Sequence, residues 1–384
     1  MAFTLIRRLI RLAVWVRLSK MCFHPYITER FEFMIKSSPC TRFFLALLFF
    51  IVLGLALFGP GVSGKRLFSA SDANVGWLTA KKSNLAEGGA LARFNASPLL
   101  GDQSSKLPVL SDVALRGISV TTYNNSIYSL LMGGASCFLL LYLRLLGRSW
   151  LASIFGAIIA FWVGSATVAS AGHIGKFGVA LCGTAALFLI EKNVRAVGWR
   201  RWSWAVLAGG AVGLMLLEQQ DVGLFWGVLL ACYALFRAVS VFGRQEWKGY
   251  AQLFVPIAVV GIVFSGYSSL QVYRNNVSNA AAVDEKNATA KQEKWNYITQ
   301  WSFPPSDMID LVAPGFKGWK TGDPKAPYWG ELGQSAEWKT TKQGFRDFKL
   351  DNLYIGVIPF LAALYALVRS RKEDRPMVVF YALM

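Results

Sequence analysis

The sequence predicts an all-α polytopic membrane protein with two large extracytoplasmic loops. First, 54% of the 384 residues are hydrophobic and the mean hydropathy is +0.40, whereas a soluble domain has about 45–50% apolar residues. Second, the apolar residues are clustered in long runs that are separated by basic or polar segments. A helix needs about 20 predominantly apolar residues to cross a bilayer, and several of these runs approach that length.

The apolar runs divide the chain into four regions. Residues 1–42 form a basic, amphipathic segment that suits the surface of an anionic leaflet on the cytoplasmic side. Residues 43–272 form a bundle of about seven spans that includes the first outer loop, 63–126. Residues 273–352 form the second outer loop, and residues 353–384 hold the C-terminal spans.

The individual spans follow the same apolar runs. They are predicted at 43–62, 127–146, 151–171, 177–190, 204–217, 222–241, 253–272 and 353–368, and a ninth begins at 377 and is incomplete at 384. The fourth and fifth spans are shorter than the ~20 residues of a full crossing. We expect them to be tilted or extended by flanking residues.

The distribution of basic residues predicts a cytoplasmic N-terminus. In that orientation the inner segments hold 21 Lys and Arg against 6 Asp and Glu, and the outer segments hold the remaining 19 against 16. Basic residues concentrate in the short cytoplasmic loops of membrane proteins. This rule accounts for the net charge of +18, so we expect no nucleic-acid partner.

Cysteine and histidine usage excludes two kinds of site. The five cysteines include no C-x-x-C pair, neither large loop contains a cysteine, and the two histidines are His24 and His173. A disulfide framework outside the membrane and a histidine-rich metal site are therefore excluded.

Four places on the predicted outer face are candidates for chemistry, because charged groups near membrane depth usually face a polar cavity. Asp72 follows the first span, where a carboxylate could act as a general base; a solvated loop acid or helix N-cap is the alternative. His173 and Lys176 lie in the turn AGHIGKFG and could bind a phosphate. An interfacial hairpin with a snorkelling lysine is the alternative there.

The other two places are a short turn and the second outer loop. Glu218 and Asp221 flank two glutamines and could hold a sugar or a cation, with a polar hairpin cap as the alternative. Segment 295–329 is rich in proline, aromatic and acidic residues, which suits a structured concave surface. The residues of this segment that are candidates for binding a substrate are Trp301, Asp307, Asp310, Trp319, Tyr328 and Trp329. The alternative is that the aromatic residues anchor the loop at the lipid headgroups.

Several of these motifs resemble a known family. The block WSFPPSD…APGFKGW…YWGELGQS, the AGHIGKFG turn and the first-loop acid resemble the YfhO-type bacterial membrane proteins, which are similar to the GT-C superfamily of polytopic glycosyltransferases. The resemblance covers most of residues 43–384. Family members are usually longer, so the chain is expected to correspond to their N-terminal portion.

The resemblance implies a GT-C-like helical bundle in the bacterial inner membrane. It implies a glycosyltransferase that passes a sugar from a polyprenyl-phosphate carrier to an extracytoplasmic envelope acceptor. Asp72 then maps onto the catalytic base, His173 and Lys176 would bind the carrier phosphate, and Asp307 matches the acidic position after the paired prolines. The resemblance implies no definite cofactor, and it leaves open whether the enzyme uses a divalent cation.

Two other functions stay open. One is a non-catalytic structural or accessory subunit, which predicts co-purification with other membrane subunits. The other is a lipid-linked sugar transporter, for which ionisable residues buried in mid-span are expected. The clear charges lie near the ends of the predicted spans, which counts against a transporter. Membrane lipids are partners in every case.

Overall fold

A computed structural model describes residues 38–62, 75–87, 94–95, 102–103, 109–163, 172–243, 246–274 and 356–384, and the single positions 305, 308, 309 and 313. The helices are α1 (Pro39–Val62), α2 (Val75–Glu87), α3 (Leu110–Gly117), α4 (Val120–Leu145), α5 (Trp150–Trp162), α6 (Ile174–Arg195), α7 (Trp199–Glu218), α8 (Gln220–Phe242), α9 (Trp247–Val272), α10 (Val357–Arg369) and α11 (Arg375–Leu383). Between α2 and α3 lie two short antiparallel strands, β1 (Phe94–Asn95) and β2 (Asp102–Gln103).

Five of these helices, α1, α4, α6, α8 and α9, are long and apolar enough to cross a membrane. The chain is therefore an all-α membrane protein, with one two-stranded pair in the described part of its first loop. Helices α5 and α10 are apolar but have 13 residues each.

The helix boundaries differ from the predicted spans at polar residues. Helix α4 begins at Val120 rather than at 127, because Ser119 caps it and accepts the Thr122 N–H at 3.1 Å. The predicted short spans 177–190 and 204–217 are parts of α6, with 22 residues, and α7, with 20. The predicted loop 63–126 contains the helices α2 and α3. The sequence prediction places these polar residues in loops, whereas in the structure they are part of helices.

The long helices alternate in direction, which gives the bundle two ends. At one end, which we call the first-loop end, α1 and α7 finish and α4, α6 and α8 begin. We call the opposite end the basic end. Two pairs of aromatic rings give the relative direction of α4 and α6. Tyr128 contacts Phe177 near the start of both helices, and Phe138 contacts Phe188 farther along both. Helices α4 and α6 are therefore parallel.

Two clusters of buried side chains form the core. One consists mainly of side chains from α1, α4 and α5, together with Leu115 of α3 and Phe177 of α6. In this cluster the rings of Phe50 and Trp162 stack, and the Trp162 Nε1–H donates to Ser136 Oγ at 2.8 Å. The other joins α4, α6, α7, α8 and α9 around residues such as Ile190, Met215 and Tyr233. Both clusters include residues of α4 and of α6, so these two helices connect the two halves of the bundle.

Helices α7 and α9 cross with their backbones in contact. A Cβ on Gly209 would lie 2.9 Å from the Pro256 carbonyl oxygen and 3.0 Å from Ile257 Cα, and one on Gly213 would lie 2.5 Å from Phe264 Cβ. Small residues permit this approach, as at other membrane helix interfaces. Gly210, which follows Gly209 in the helix, has open space at its Cβ position.

A buried ionic network lies at the basic end. The Glu191 side chain is 0% exposed and accepts from Arg237 Nε and Nη2, both at 2.8 Å, from Arg195 Nε at 2.6 Å and from the Tyr233 hydroxyl at 2.6 Å. The network joins α6 to α8. It satisfies an acid that the apolar interior would otherwise exclude.

The C-terminal helix α11 packs at the same end. Tyr381 and Tyr142 share a hydroxyl–hydroxyl hydrogen bond of 2.7 Å, and the rings of Phe380 and Phe236 stack at 4.9 Å. Arg148 donates to the Asp374 carboxylate, with one contact of 2.9 Å. The hydrogen bond from Arg148 lowers the pKa of the Asp374 carboxyl.

Candidate functional site

Seven of the predicted site residues lie outside the described residues, and their roles stay predictions. They are Asp72, Trp301, Asp307, Asp310, Trp319, Tyr328 and Trp329. The other four, His173, Lys176, Glu218 and Asp221, are described and lie at the first-loop end.

His173 and Lys176 lie at the start of α6. Gly172 adopts φ +91°, a left-handed conformation that favours glycine, and His173 is the N-cap residue of the helix. The Lys176 amide donates to the His173 carbonyl oxygen at 3.2 Å, and both side chains are half-buried. The two basic side chains therefore begin a helix whose dipole is positive at this end.

Glu218 lies directly against the same turn. A Cβ on Gly178 would be 2.5 Å from the Glu218 carboxylate, and one on Gly175 would be 3.0 Å from the Glu218 carbonyl oxygen. Glycine at both positions permits this close approach. Two turns predicted separately, AGHIGKFG and the turn at Glu218, thus come together at one end of the bundle.

The Glu218 carboxylate is buried, with 8% exposure, and it binds the first loop. Its Oε1 accepts the Ser111 N–H at 3.3 Å, and its Oε2 accepts the Ser111 hydroxyl at 3.0 Å. Ser111 lies in the first turn of α3, where amide groups have no partner within the helix. Glu218 therefore acts as a cap for a helix from a distant part of the chain.

Further polar contacts hold the first-loop helices in place. Lys81 of α2 pairs with Asp112 of α3 at 2.8 Å, and Asp112 also accepts the Val109 N–H at 3.3 Å. Lys82 donates to the Ile118 carbonyl oxygen. These bonds join α2 and α3 into one polar assembly at the first-loop end. In it the two buried carboxylates of Asp112 and Glu218 lie near Lys81.

Asp221 is separated from this assembly. Its side chain is exposed and accepts from Gln219 Nε2 at 3.4 Å. The pair of acids at this turn therefore divides into one buried carboxylate that binds α3 and one solvent-facing carboxylate.

The sequence alone does not single out Ser111, Asp112 or Lys81. A signal was present, because Ser and Asp at the start of the segment LSDVALRG are typical of a helix N-terminus. That signal predicts a helix start but not its partner Glu218, which is 107 positions away.

The arrangement can position a loop and attract an anion. Glu218 joins the first-loop helix α3 to the first turns of α6. Half-buried His173 and Lys176 lie at the N-terminus of that helix, a position that favours an anionic group. Among the described residues, no group of three or more His, Cys, Asp or Glu side chains could hold a metal ion.

Comparisons with protein-family models, curated proteins and solved structures find no match for this chain.

Glu218→Gln is expected to loosen α3 from the bundle. The substitution removes a charged acceptor and directs an amide donor at the Ser111 donors, so about 1.5 kcal/mol of local stability should be lost. Hydrogen exchange of the amides in α3 should then become about tenfold faster. Asp221→Asn is the matched control, because the hydrogen bond described for this exposed carboxylate is with Gln219 of its own turn. Equal protection of α3 in both variants would show that the Glu218 bonds do not hold the helix.

Proposed function

We propose that this membrane protein is a glycosyltransferase with a GT-C-like helical bundle. It transfers a sugar from a polyprenyl-phosphate carrier to an envelope acceptor at the first-loop end. The observation that supports this proposal best is the meeting of three chain segments there: the first-loop helix α3, the turn at Glu218 and the His173–Lys176 turn.

The proposal gives each segment a role. The carrier phosphate would bind His173 and Lys176, because two basic groups and the α6 N-terminus favour an anion. Glu218 would position the first loop through Ser111. Asp72, in the same loop, would supply the general base, and the second outer loop would supply Trp301, Trp319, Tyr328 and Trp329 for the sugar, with Asp307 and Asp310 for its hydroxyls.

The proposed reaction is a single displacement. The acceptor hydroxyl oxygen forms a bond to the anomeric carbon, and its proton moves to the Asp72 carboxylate. The bond from the anomeric carbon to the phosphate oxygen breaks, and its electron pair leaves with the polyprenyl phosphate. His173 and Lys176 stabilise the negative charge that develops on that leaving group.

The location follows from the same proposal. We place the protein in a bacterial inner membrane with a cytoplasmic N-terminus, because the short loops at the basic end carry the excess of Lys and Arg. The first-loop end then faces the extracytoplasmic side, where a polyprenyl-phosphate sugar and an envelope acceptor meet.

Asp72→Asn is expected to lower sugar transfer by about 10²–10⁴-fold, the usual contribution of a positioned general base. The measurement uses the purified protein in vesicles with a panel of polyprenyl-phosphate glucose, mannose and N-acetylglucosamine and a cell-envelope extract as acceptor. Glu246→Gln, which removes an exposed acid at the basic end, should retain full transfer. Unchanged turnover in Asp72→Asn would remove this residue from the mechanism.

The accessory-subunit alternative predicts a different result in the same experiment. The wild-type protein would then transfer no sugar from any member of the panel and would co-purify with other membrane proteins in fixed proportion. That pair of observations would replace the enzyme proposal.

A further inference from the structure

The basic end of the bundle has an exposed patch of basic and aromatic residues. Helices α7 and α9 both begin there with a tryptophan followed by a basic residue, Trp199 then Arg200, and Trp247 then Lys248. Trp199 is 74% exposed and Trp247 is 69% exposed, and both basic side chains are exposed too. We call these four residues the basic–aromatic patch.

The two halves of this patch lie side by side. Arg201 Nη1 donates to Gln252 Oε1 at 3.2 Å, and a Cβ on Gly249 would lie 3.3 Å from the same Nη1. The first turns of α7 and α9 are therefore in contact through Arg201. Because the helices stay together at Gly209 and Pro256, they are parallel and present both tryptophans at the same end.

The charge of the patch is available to a ligand. Arg201 is directed inwards, where its Nε donates to the Ala196 carbonyl oxygen at 3.1 Å and its guanidinium lies over Phe242. By contrast, no carboxylate of the described residues pairs with Arg200 or Lys248. The exposed Glu246 precedes α9, so two cations face one acid and the patch has a net positive charge.

We propose that the basic–aromatic patch binds the headgroups of anionic phospholipids in the leaflet at the basic end. Tryptophan side chains prefer the headgroup level of a bilayer, and exposed Lys and Arg beside a membrane attract anionic lipids. In a zwitterionic lipid the ammonium group opposes this attraction, so the patch selects for net negative charge. The proposal is independent of sugar transfer at the opposite end of the bundle.

The test is native mass spectrometry of the full chain in detergent, titrated with phosphatidylglycerol or phosphatidylcholine. The wild-type protein is expected to bind phosphatidylglycerol at least tenfold more tightly. The double variant Arg200→Gln/Lys248→Gln should lose about 10–30-fold in affinity for phosphatidylglycerol, as expected for two basic residues near an anionic headgroup. Its affinity for phosphatidylcholine should not change.

The matched control removes two exposed arginines from the first-loop end, Arg116→Gln/Arg274→Gln. This control should bind phosphatidylglycerol like the wild type. Equal wild-type affinity for both lipids, or an equal loss in the control, would overturn the proposal. Displacement of phosphatidylglycerol by inorganic phosphate would also overturn it, because the patch would then be a site for free anions.

Discussion

Glu191→Leu is expected to destabilise the folded bundle by about 3–5 kcal/mol, the cost of breaking a buried ion pair by removing one partner. The variant leaves Arg237, which is 16% exposed, and the buried Tyr233 hydroxyl without their acceptor. Unfolding in mixed detergent micelles, followed by circular dichroism, measures the free-energy change.

Two further variants test the cause of that loss. Glu191→Leu/Arg237→Leu should be more stable than Glu191→Leu alone, because replacing both partners with apolar side chains leaves no unpaired charge in the interior; Arg195, which also loses Glu191, is 45% exposed and can be solvated. Asp374→Asn removes one partner of the Arg148 pair, whose side chains are 43% and 28% exposed, and should cost less than about 1 kcal/mol. If Glu191→Leu costs no more than Asp374→Asn, the buried network does not stabilise the bundle.

Gly209→Ala is expected to cost about 2–3 kcal/mol of folding free energy. The new methyl group would meet the backbone of α9 at Pro256 and Ile257, and backbone atoms cannot rotate away as a flexible side chain can. Helices α7 and α9 would have to separate, which is the usual result of overpacking a close contact. The same unfolding assay measures this loss.

Gly210→Ala is a control at the neighbouring position. Its Cβ would meet no atom within 4 Å, and alanine is a better helix former than glycine by roughly 1 kcal/mol. We therefore expect this variant to be as stable as the wild type or slightly more stable. Similar stability losses in both variants would contradict the close backbone contact between α7 and α9.

The predicted span positions agree with the helices best where apolar residues are continuous, as in α1 and α8. They differ where polar residues are helical. Tyr123, Asn124 and Asn125 are buried in the first turns of α4, although their polarity assigned them to the loop 63–126. Glu191 and Arg195 lie in α6 beyond its apolar run because the Glu191 carboxylate is paired with both Arg195 and Arg237.

In the candidate site, too, some residues could be predicted from the sequence and others could not. Charge and glycine content identified His173, Lys176 and Glu218 as unusual residues, and the structure places their turns in contact. Ser111 and Asp112 were not recognised, because an isolated Ser-Asp pair is typical of many helix starts. Their importance depends on Glu218, a partner that neither composition nor spacing reveals.

By itself, the sequence determined that this protein is a helical membrane protein, because the transfer of apolar runs into lipid depends on composition and length alone. Only the tertiary structure decided which polar groups meet: Glu218 with Ser111, Glu191 with Arg237, and the first turn of α7 with that of α9. Hydrogen bonds and ion pairs need atoms within about 3 Å, and such distances between remote residues are set by helix packing rather than by local sequence.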